Sequence, residues 1–132
     1  ANGITLVTDL DSQARVLGNT IQFEQVLINM INNARDAILS NGTSGRIEVK
    51  QIVDAENITV TIEDTGGGIP VDAIPHIFEP FFTTKPVGKG TGLGGSISYG
   101  IIQDMQGSIW ADNIADGAKI SIRLPLVSDG VE

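Results

Sequence analysis

Three short stretches of this chain gather residues whose types and spacing can handle a charged ligand. Gln25, Asn29, Asn32, Asn33 and Asp36 are spaced by three or four positions, apart from the adjacent pair Asn32-Asn33, so on a helix they form one polar stripe. Asparagine is a poor helix former, and three in a helix interior cost stability that alanine would not. Their amide oxygens are hard, neutral ligands of the kind Mg²⁺ accepts beside phosphate oxygens and water; a solvated polar face is the simpler alternative for the stripe taken alone. The second stretch, "EDTGGGIP" from Glu63 to Pro70, sets an acid ahead of three glycines. Asp64, leaving an apolar strand, can accept a hydrogen bond from an exocyclic amine, or can simply form an Asx turn. The third, "GKGTGLGGS" from Gly88 to Ser96, holds five glycines in nine residues directly before an apolar run. Its bare N–H groups can surround phosphate at a helix start, with Lys85 and Lys89 supplying charge; a flexible surface loop is the competing reading. Gly90, Gly92 and Gly95 fit a G-x-G-x-x-G pattern, but no strand leads into them, which disfavours a Rossmann site.

The elements that must position these residues follow from hydrophobic spacing. "ITLVTDL" from Ile4 alternates as a first strand, with Gly18-Asn19 as a turn and Asn19 or Thr20 as a cap. Phe23, Val26, Leu27, Met30, Ile31, Ala34, Ala37 and Ile38 have the spacing of an amphipathic helix. "RIEVKQIV" and "NITVTIED" are strands joined near Asp54-Ala55-Glu56. Residues 65–95 form a long loop too apolar to be a linker, since Ile77, Phe78, Phe81 and Phe82 would not be left in water; it is expected to pack on the body as a lid. "SISYGIIQDM" restores helical spacing, and "GSIWADNI" and "AKISIRLPL" close the chain as strands about an Asp116-Gly117 turn. This order suggests a two-layer α/β sandwich with a mixed sheet.

Composition sets limits on partners. The 132 residues suit one core and one domain. A net charge of -8 argues against nucleic acid and against an anionic membrane surface. No apolar run is long enough to span a bilayer, and no cysteine is available for disulfides or thiolate metal sites. The chain starts at Ala1 and enters a strand at once, as a piece of a longer protein would.

Taken in order, "QVLINMINNARDAI", "DTGGGIP", "IFEPFFTTK" and "GTGLGGSISYGII" closely resemble the N box, first glycine box, F box and second glycine box of the ATP-binding catalytic domain of sensor histidine kinases. The likeness covers nearly the whole chain, and "NARDAI" and "EPFFTTK" look most like the nitrogen-regulation and oxygen-sensing branch. It implies the Bergerat fold: a mixed sheet of about five strands against about three helices, with the domain over residues 1–127, an ATP lid at about 70–95 and a tail at 128–132. By motif position, Asn33 matches the Mg²⁺-binding asparagine, and Asn29 lies one turn before it; these two are the catalytic candidates. Asp64 matches the aspartate that recognises the adenine amine, and Gly66 and Gly68 shape its pocket. Gly90, Thr91, Gly92, Leu93 and Gly94 fall on the phosphate side, Phe81 and Phe82 at the lid hinge, and Asp36 and Lys85 at recurrent polar positions of the site. The implied activity is that of a cytoplasmic kinase module using ATP and Mg²⁺. It would donate the γ-phosphate to a histidine on a separate dimerisation domain, with a response regulator downstream and no nucleic-acid or membrane contact. The alternative is a nucleotide-binding regulatory module without phosphotransfer. Relatives of this fold that hydrolyse ATP carry a glutamate at about the position of Asn29, which disfavours a hydrolase.

Two features depart from the pattern. The second glycine box usually reads "GLGLS", and Gly95 stands here where leucine is typical. A glycine in a helix costs about 0.8–1.0 kcal/mol against alanine and a buried leucine contributes about 1.5–3 kcal/mol, so Gly95→Leu is expected to raise the melting temperature and tighten ATP binding by ordering the lid. The competing possibility is that Gly95 has positive φ or that a neighbour already fills the space, in which case leucine would clash. The phosphoacceptor helix of the family is not in this sequence, and His76, the single histidine, lies between proline and isoleucine in the lid, a poor place for a phosphoacceptor.

Overall fold

The computed structural model describes residues 4–9, 20–42, 44–79 and 94–125. The expected helix is α1, Thr20–Asn41. Its stripe of Val26, Met30, Ala34 and Ile38 is buried, and Phe23, Leu27 and Ile31 pack partly buried beside it. A second helix, α2 (Gly94–Asp104), adds Ile102, with Met105 just beyond its end. Each fully buried valine, isoleucine or methionine among them contributes about 1.5–3 kcal/mol on leaving water, which outweighs the weak helix propensity of the asparagines. A single 3₁₀ turn, Ile74–His76, takes the place of the third helix among the described residues. Proline at its start and the short apolar run leave too few residues for a full α-helical turn to repeat.

Under the helices lies one mixed sheet of β1 (Ile4–Asp9), β2 (Gly45–Val53), β3 (Asn57–Asp64), β4 (Ser108–Ile114) and β5 (Gly117–Pro125), in the order β1-β2-β3-β5-β4. β1 runs parallel to β2, and every other pair is antiparallel. The β2–β3 hairpin turns where expected: Asp54 Oδ1 accepts from the N–H groups of Glu56 (2.8 Å) and Asn57 (2.7 Å), an Asx turn that also holds this carboxyl below its ordinary pKa. Strand alternation then decides where the important acid goes. Ile58, Val60, Ile62 and Asp64 share one face of β3, and the first three are in the core under α1. Asp64 is therefore carried to the helix-covered side of the sheet.

Two expectations change. The closing hairpin turns at Ala115 and Asp116, while Gly117 already pairs with Ile114 as the first residue of β5. The turn expected at Asp116-Gly117 thus falls one residue earlier, and Gly117 is not among the described residues with positive φ, which are Gly67, Gly68 and Gln106. Gly117 is small because the end of β3 passes against it. The second change concerns Gly95, in the first turn of α2. A Cβ there would collide with the Ile77 carbonyl oxygen and lie 3.4 Å from Phe78 Cα. The space is filled by main chain, so the expected gain from leucine is replaced by an expected clash. Asn19, Phe81, Phe82, Lys85, Gly90, Thr91, Gly92, Leu93 and the tail at 128–132 lie outside the described residues.

Candidate functional site

Asp64 is 7% exposed, and its Oδ1 accepts from Gly66 N–H at 2.8 Å and Ala118 N–H at 3.4 Å. Both donors act on one oxygen. Oδ2 has no donor among the described residues, and no buried side-chain polar atom there goes without a partner, so Oδ2 keeps an open side. A carboxylate with one oxygen anchored by backbone and the other presented is built to accept a hydrogen bond from a ligand. Burial raises the Asp64 pKa above the ordinary carboxyl value, and the Gly66 and Ala118 N–H groups only partly offset it.

That shift has a testable sign. Between the ordinary value and the raised one, the native protein binds more protons at Asp64 than the unfolded chain does. This contribution to stability is fully present below the ordinary value and is lost as pH rises through the folded value, at no more than about 1.4 kcal/mol per pH unit. Asp64→Asn should remove this slope from denaturation curves recorded across mildly acidic pH. Parallel pH profiles for the two proteins would show that the carboxyl is not desolvated.

Close approaches bring the loop after β3 against both neighbours. A Cβ on Gly66 would lie 2.7 Å from Ala37 Cβ and 2.9 Å from Ile38 N, so the loop touches α1 where only glycine fits. Gly117 faces Asp64 itself: a Cβ would overlap the Asp64 carbonyl oxygen and sit 2.9 Å from Oδ1. The absence of a side chain at Gly117 lets β5 pass close enough for Ala118 to donate to the carboxylate.

Along α1 the polar stripe continues the site. Asn29 is half-buried; its Nδ2 donates to Ser98 Oγ at 3.3 Å, and its Oδ1 accepts from Gln25 Nε2 at 3.1 Å. Ser98 is fully buried in α2, so Asn29 braces one helix against the other. Asn33 lies one turn further along α1 with its side chain exposed, and Asp36 is half-buried, 3.6 Å from Arg35 Nη2. From Asn29 to Ala37, where Gly66 touches, is about 12 Å along the axis. The structure thus places Asn29, Asn33 and Asp36 on α1, with Gly66 against Ala37 and Asp64 two residues before it, whereas Gly68 lies against Asn113 and Gly117 of the closing hairpin and Gly94 opens α2. His76 stands apart, with Nδ1 2.8 Å from Glu79 Oε2 on the surface. Ser98, Gly117 and Ala118 are site residues that sequence reasoning missed. Two contribute through backbone or bare space, and their only sequence signal, a glycine after a hairpin turn, has a commoner explanation.

Among the described residues no group of three or more His, Cys, Asp or Glu can hold a metal. A cation here would need ligand oxygens besides the protein's, and an exposed amide such as Asn33 fits Mg²⁺ carried in on phosphates.

Known proteins share this fold. The model of the family described as histidine kinase-, DNA gyrase B-, and HSP90-like ATPase matches residues 18–128. The two-component sensor PprA of Pseudomonas aeruginosa is 45% identical over 117 residues, covering 86% of this chain and 13% of that sensor, so the chain spans a small part of that relative. The structure of the mycobacterial sensor histidine kinase MprB superposes with a TM-score of 0.81 at 26% identity, over 94% of this chain and 83% of that one. The catalytic domain of histidine kinase ThkA superposes with a TM-score of 0.77 at 35% identity, over 92% of this chain and 78% of that one. ThkA has also been solved in complex with response regulator protein TrrA.

Proposed function

Because the chain belongs to the histidine kinase-, DNA gyrase B-, and HSP90-like ATPase family, we propose that it binds Mg·ATP and donates the γ-phosphate to a histidine on a separate dimerisation domain of its parent protein, in two-component signalling. The observation that carries this reading is Asp64, a buried carboxylate with one oxygen tied to backbone and the other open, in a glycine loop seated on the asparagine stripe of α1. The open oxygen accepts the adenine amine. The nucleotide then lies along α1 toward Asn33 and the start of α2. Asn33 would hold Mg²⁺ together with phosphate oxygens; the metal supplies charge neutralisation on the phosphates. Asn29, committed to Ser98 and Gln25, holds the two helices apart at a fixed width and offers no carboxylate to activate water, which favours transfer over hydrolysis. In the transfer, a ring nitrogen of the acceptor histidine bonds to the γ-phosphorus as the β–γ bridging P–O bond breaks and ADP leaves.

A regulatory module without phosphotransfer would be favoured by a nucleotide site weakened at Gly95. Its missing side chain is matched by the Ile77 carbonyl, so it does not mark a defective site. Among the described residues no helix is long and apolar enough to cross a membrane. We place the domain in the cytoplasm, where ATP is available, with a response regulator as the downstream partner and with neither nucleic acid nor membrane as a contact of this domain.

Calorimetric titration of ADP and GDP, with and without Mg²⁺, tests the binding half. Losing the amine partner of a buried acceptor costs about 1–3 kcal/mol, so ADP should bind roughly 5- to 150-fold more tightly than GDP, and Asp64→Asn should erode that ratio. Asn33→Ala should blunt the Mg²⁺ dependence and leave the fold intact. Equal affinity for the two bases would defeat the assignment. Labelled ATP plus a histidine-bearing dimerisation domain supplied in trans tests the transfer half. Phosphate should appear on that domain and not on His76.

A further inference from the structure

The glycine loop that carries the adenine-reading acid is held by a residue with no assigned role. Residues 65–70 have no helix or strand of their own, and Gly67 and Gly68 turn there with φ of 91° and 88°. Its first residues are held from the other side, Thr65 by the Arg46 main chain and Gly66 by contact with Ala37, so it is the turn at Gly67 and Gly68 that needs a hold of its own. Asn113, in β4, supplies one. Its Oδ1 accepts from the Ile69 N–H at 2.6 Å, and its Nδ2 donates to the Ile69 carbonyl at 2.8 Å. One side-chain amide thus satisfies both main-chain groups of a single loop residue, as a neighbouring strand would.

The clasp is not isolated. Across the β4–β5 hairpin Asn113 is paired with Ala118, the residue whose N–H reaches Asp64 Oδ1. At the turn between them, the Asp116 carbonyl accepts from Gly67 N–H at 3.4 Å. The hairpin therefore grips the loop at Asp64, Gly67 and Ile69, and the Asn113 bonds are the shortest of the set. A Cβ on Gly68 would come within 2.9 Å of Asn113 Oδ1, so the fit extends to the glycine between two of the gripped residues.

Resting on the reading of Asp64 as the adenine acceptor, we propose that Asn113 is a positioning residue for base selection. By fixing Ile69 it sets the height of the loop, and with it the position at which Asp64 Oδ2 meets the base. A base presenting an amine is accepted there and one presenting a carbonyl is refused, and that contrast depends on a distance the loop cannot hold alone. Asn113 touches no reacting atom and acts only through the loop.

The test uses ADP and GDP titrations on the full chain with Asn113→Ala, Asn113→Asp, Asp64→Asn and the Asn113→Ala/Asp64→Asn double variant. Asn113→Ala should lower the ADP:GDP affinity ratio about tenfold or more. Asn113→Asp keeps the acceptor for Ile69 N–H but sets an oxygen against the Ile69 carbonyl, so the ratio should fall there too in a side chain of the same shape. It carries the test if the alanine variant does not fold. In the Asp64→Asn background, Asn113→Ala should leave the ratio unchanged while still lowering the melting temperature, a separation that a purely structural role would not produce. A wild-type preference that survives in both Asn113 variants, or a loss of ratio that adds fully to that of Asp64→Asn, overturns the proposal alone. Equal ADP and GDP affinity in the wild type overturns the adenine reading and this proposal with it.

Discussion

Gly117→Ala is expected to cost about 3 kcal/mol of folding stability and to weaken adenine nucleotide binding at least about tenfold. The added methyl would overlap the Asp64 carbonyl oxygen and stand 2.7 Å from its carbonyl carbon and 2.9 Å from Oδ1. The first two are main-chain atoms, and Oδ1 ends a short side chain that accepts from the Gly66 and Ala118 N–H groups. Relief requires the end of β3 and the start of β5 to part, and they are held together one step away by the Glu63↔Lys119 pairing. Overpacking of this kind costs about 1–3 kcal/mol, and withdrawal of Ala118 N–H from a buried carboxylate adds about 1–3 kcal/mol. Urea denaturation reads the first effect and calorimetric titration of ADP the second. A variant as stable as the wild type would show that the strands separate freely and that the close approach carries no function.

Gly95→Leu is expected to destabilise by about 1–2 kcal/mol. Removing a glycine from a helix gains about 0.8–1.0 kcal/mol, but the new side chain must displace the Ile77 carbonyl, and overpacking costs about 1–3 kcal/mol. The displaced segment includes Phe78, which packs on the core with its ring 6.2 Å from that of Tyr99, so the strain is passed to a contact that holds the first part of the loop against the body. Gly95→Ala should fall as well, because the Cβ alone collides. Gly100, further along α2, is the control: nothing lies within 4 Å of a Cβ there, and Gly100→Ala should gain up to about 1 kcal/mol. Two glycines in one helix thus answer the same substitution with opposite signs. If Gly95→Leu melts above the wild type, the segment at Ile77 and Phe78 moves aside at little cost.

What the sequence disclosed, and what it withheld, divides along the range of the forces involved. The spacing of Val26, Met30, Ala34 and Ile38 made α1 legible, because a helix buries one stripe and the stripe repeats. Asp64 was legible as an acid between an apolar strand and a glycine turn, although only the fold showed that one of its oxygens is tied down. Gly95 and Gly117 were misjudged for one reason. Each was weighed by its local role, helix former or turn former, whereas each is small because main chain from elsewhere in the fold passes within contact, and no periodicity records that. Asn113 was invisible on the same grounds, since its partner Ile69 lies 44 residues away. Where a second glycine box and a lysine were expected to meet phosphate, residues 80–93 fall outside the described structure, and those assignments rest on motif position.

The edge strand β1 has a consequence in mechanical terms. It joins the sheet through β2 alone, by six paired residues from Ile4↔Gly45 to Asp9↔Lys50, and it precedes the helix that carries Asn29 and Asn33. Tension arriving at the N-terminal side is taken up by that parallel ladder before it reaches α1. In that sense β1 works as a cable clamp, whose hold on the sheet is the six-residue ladder to β2 and, among the described residues, nothing beyond it.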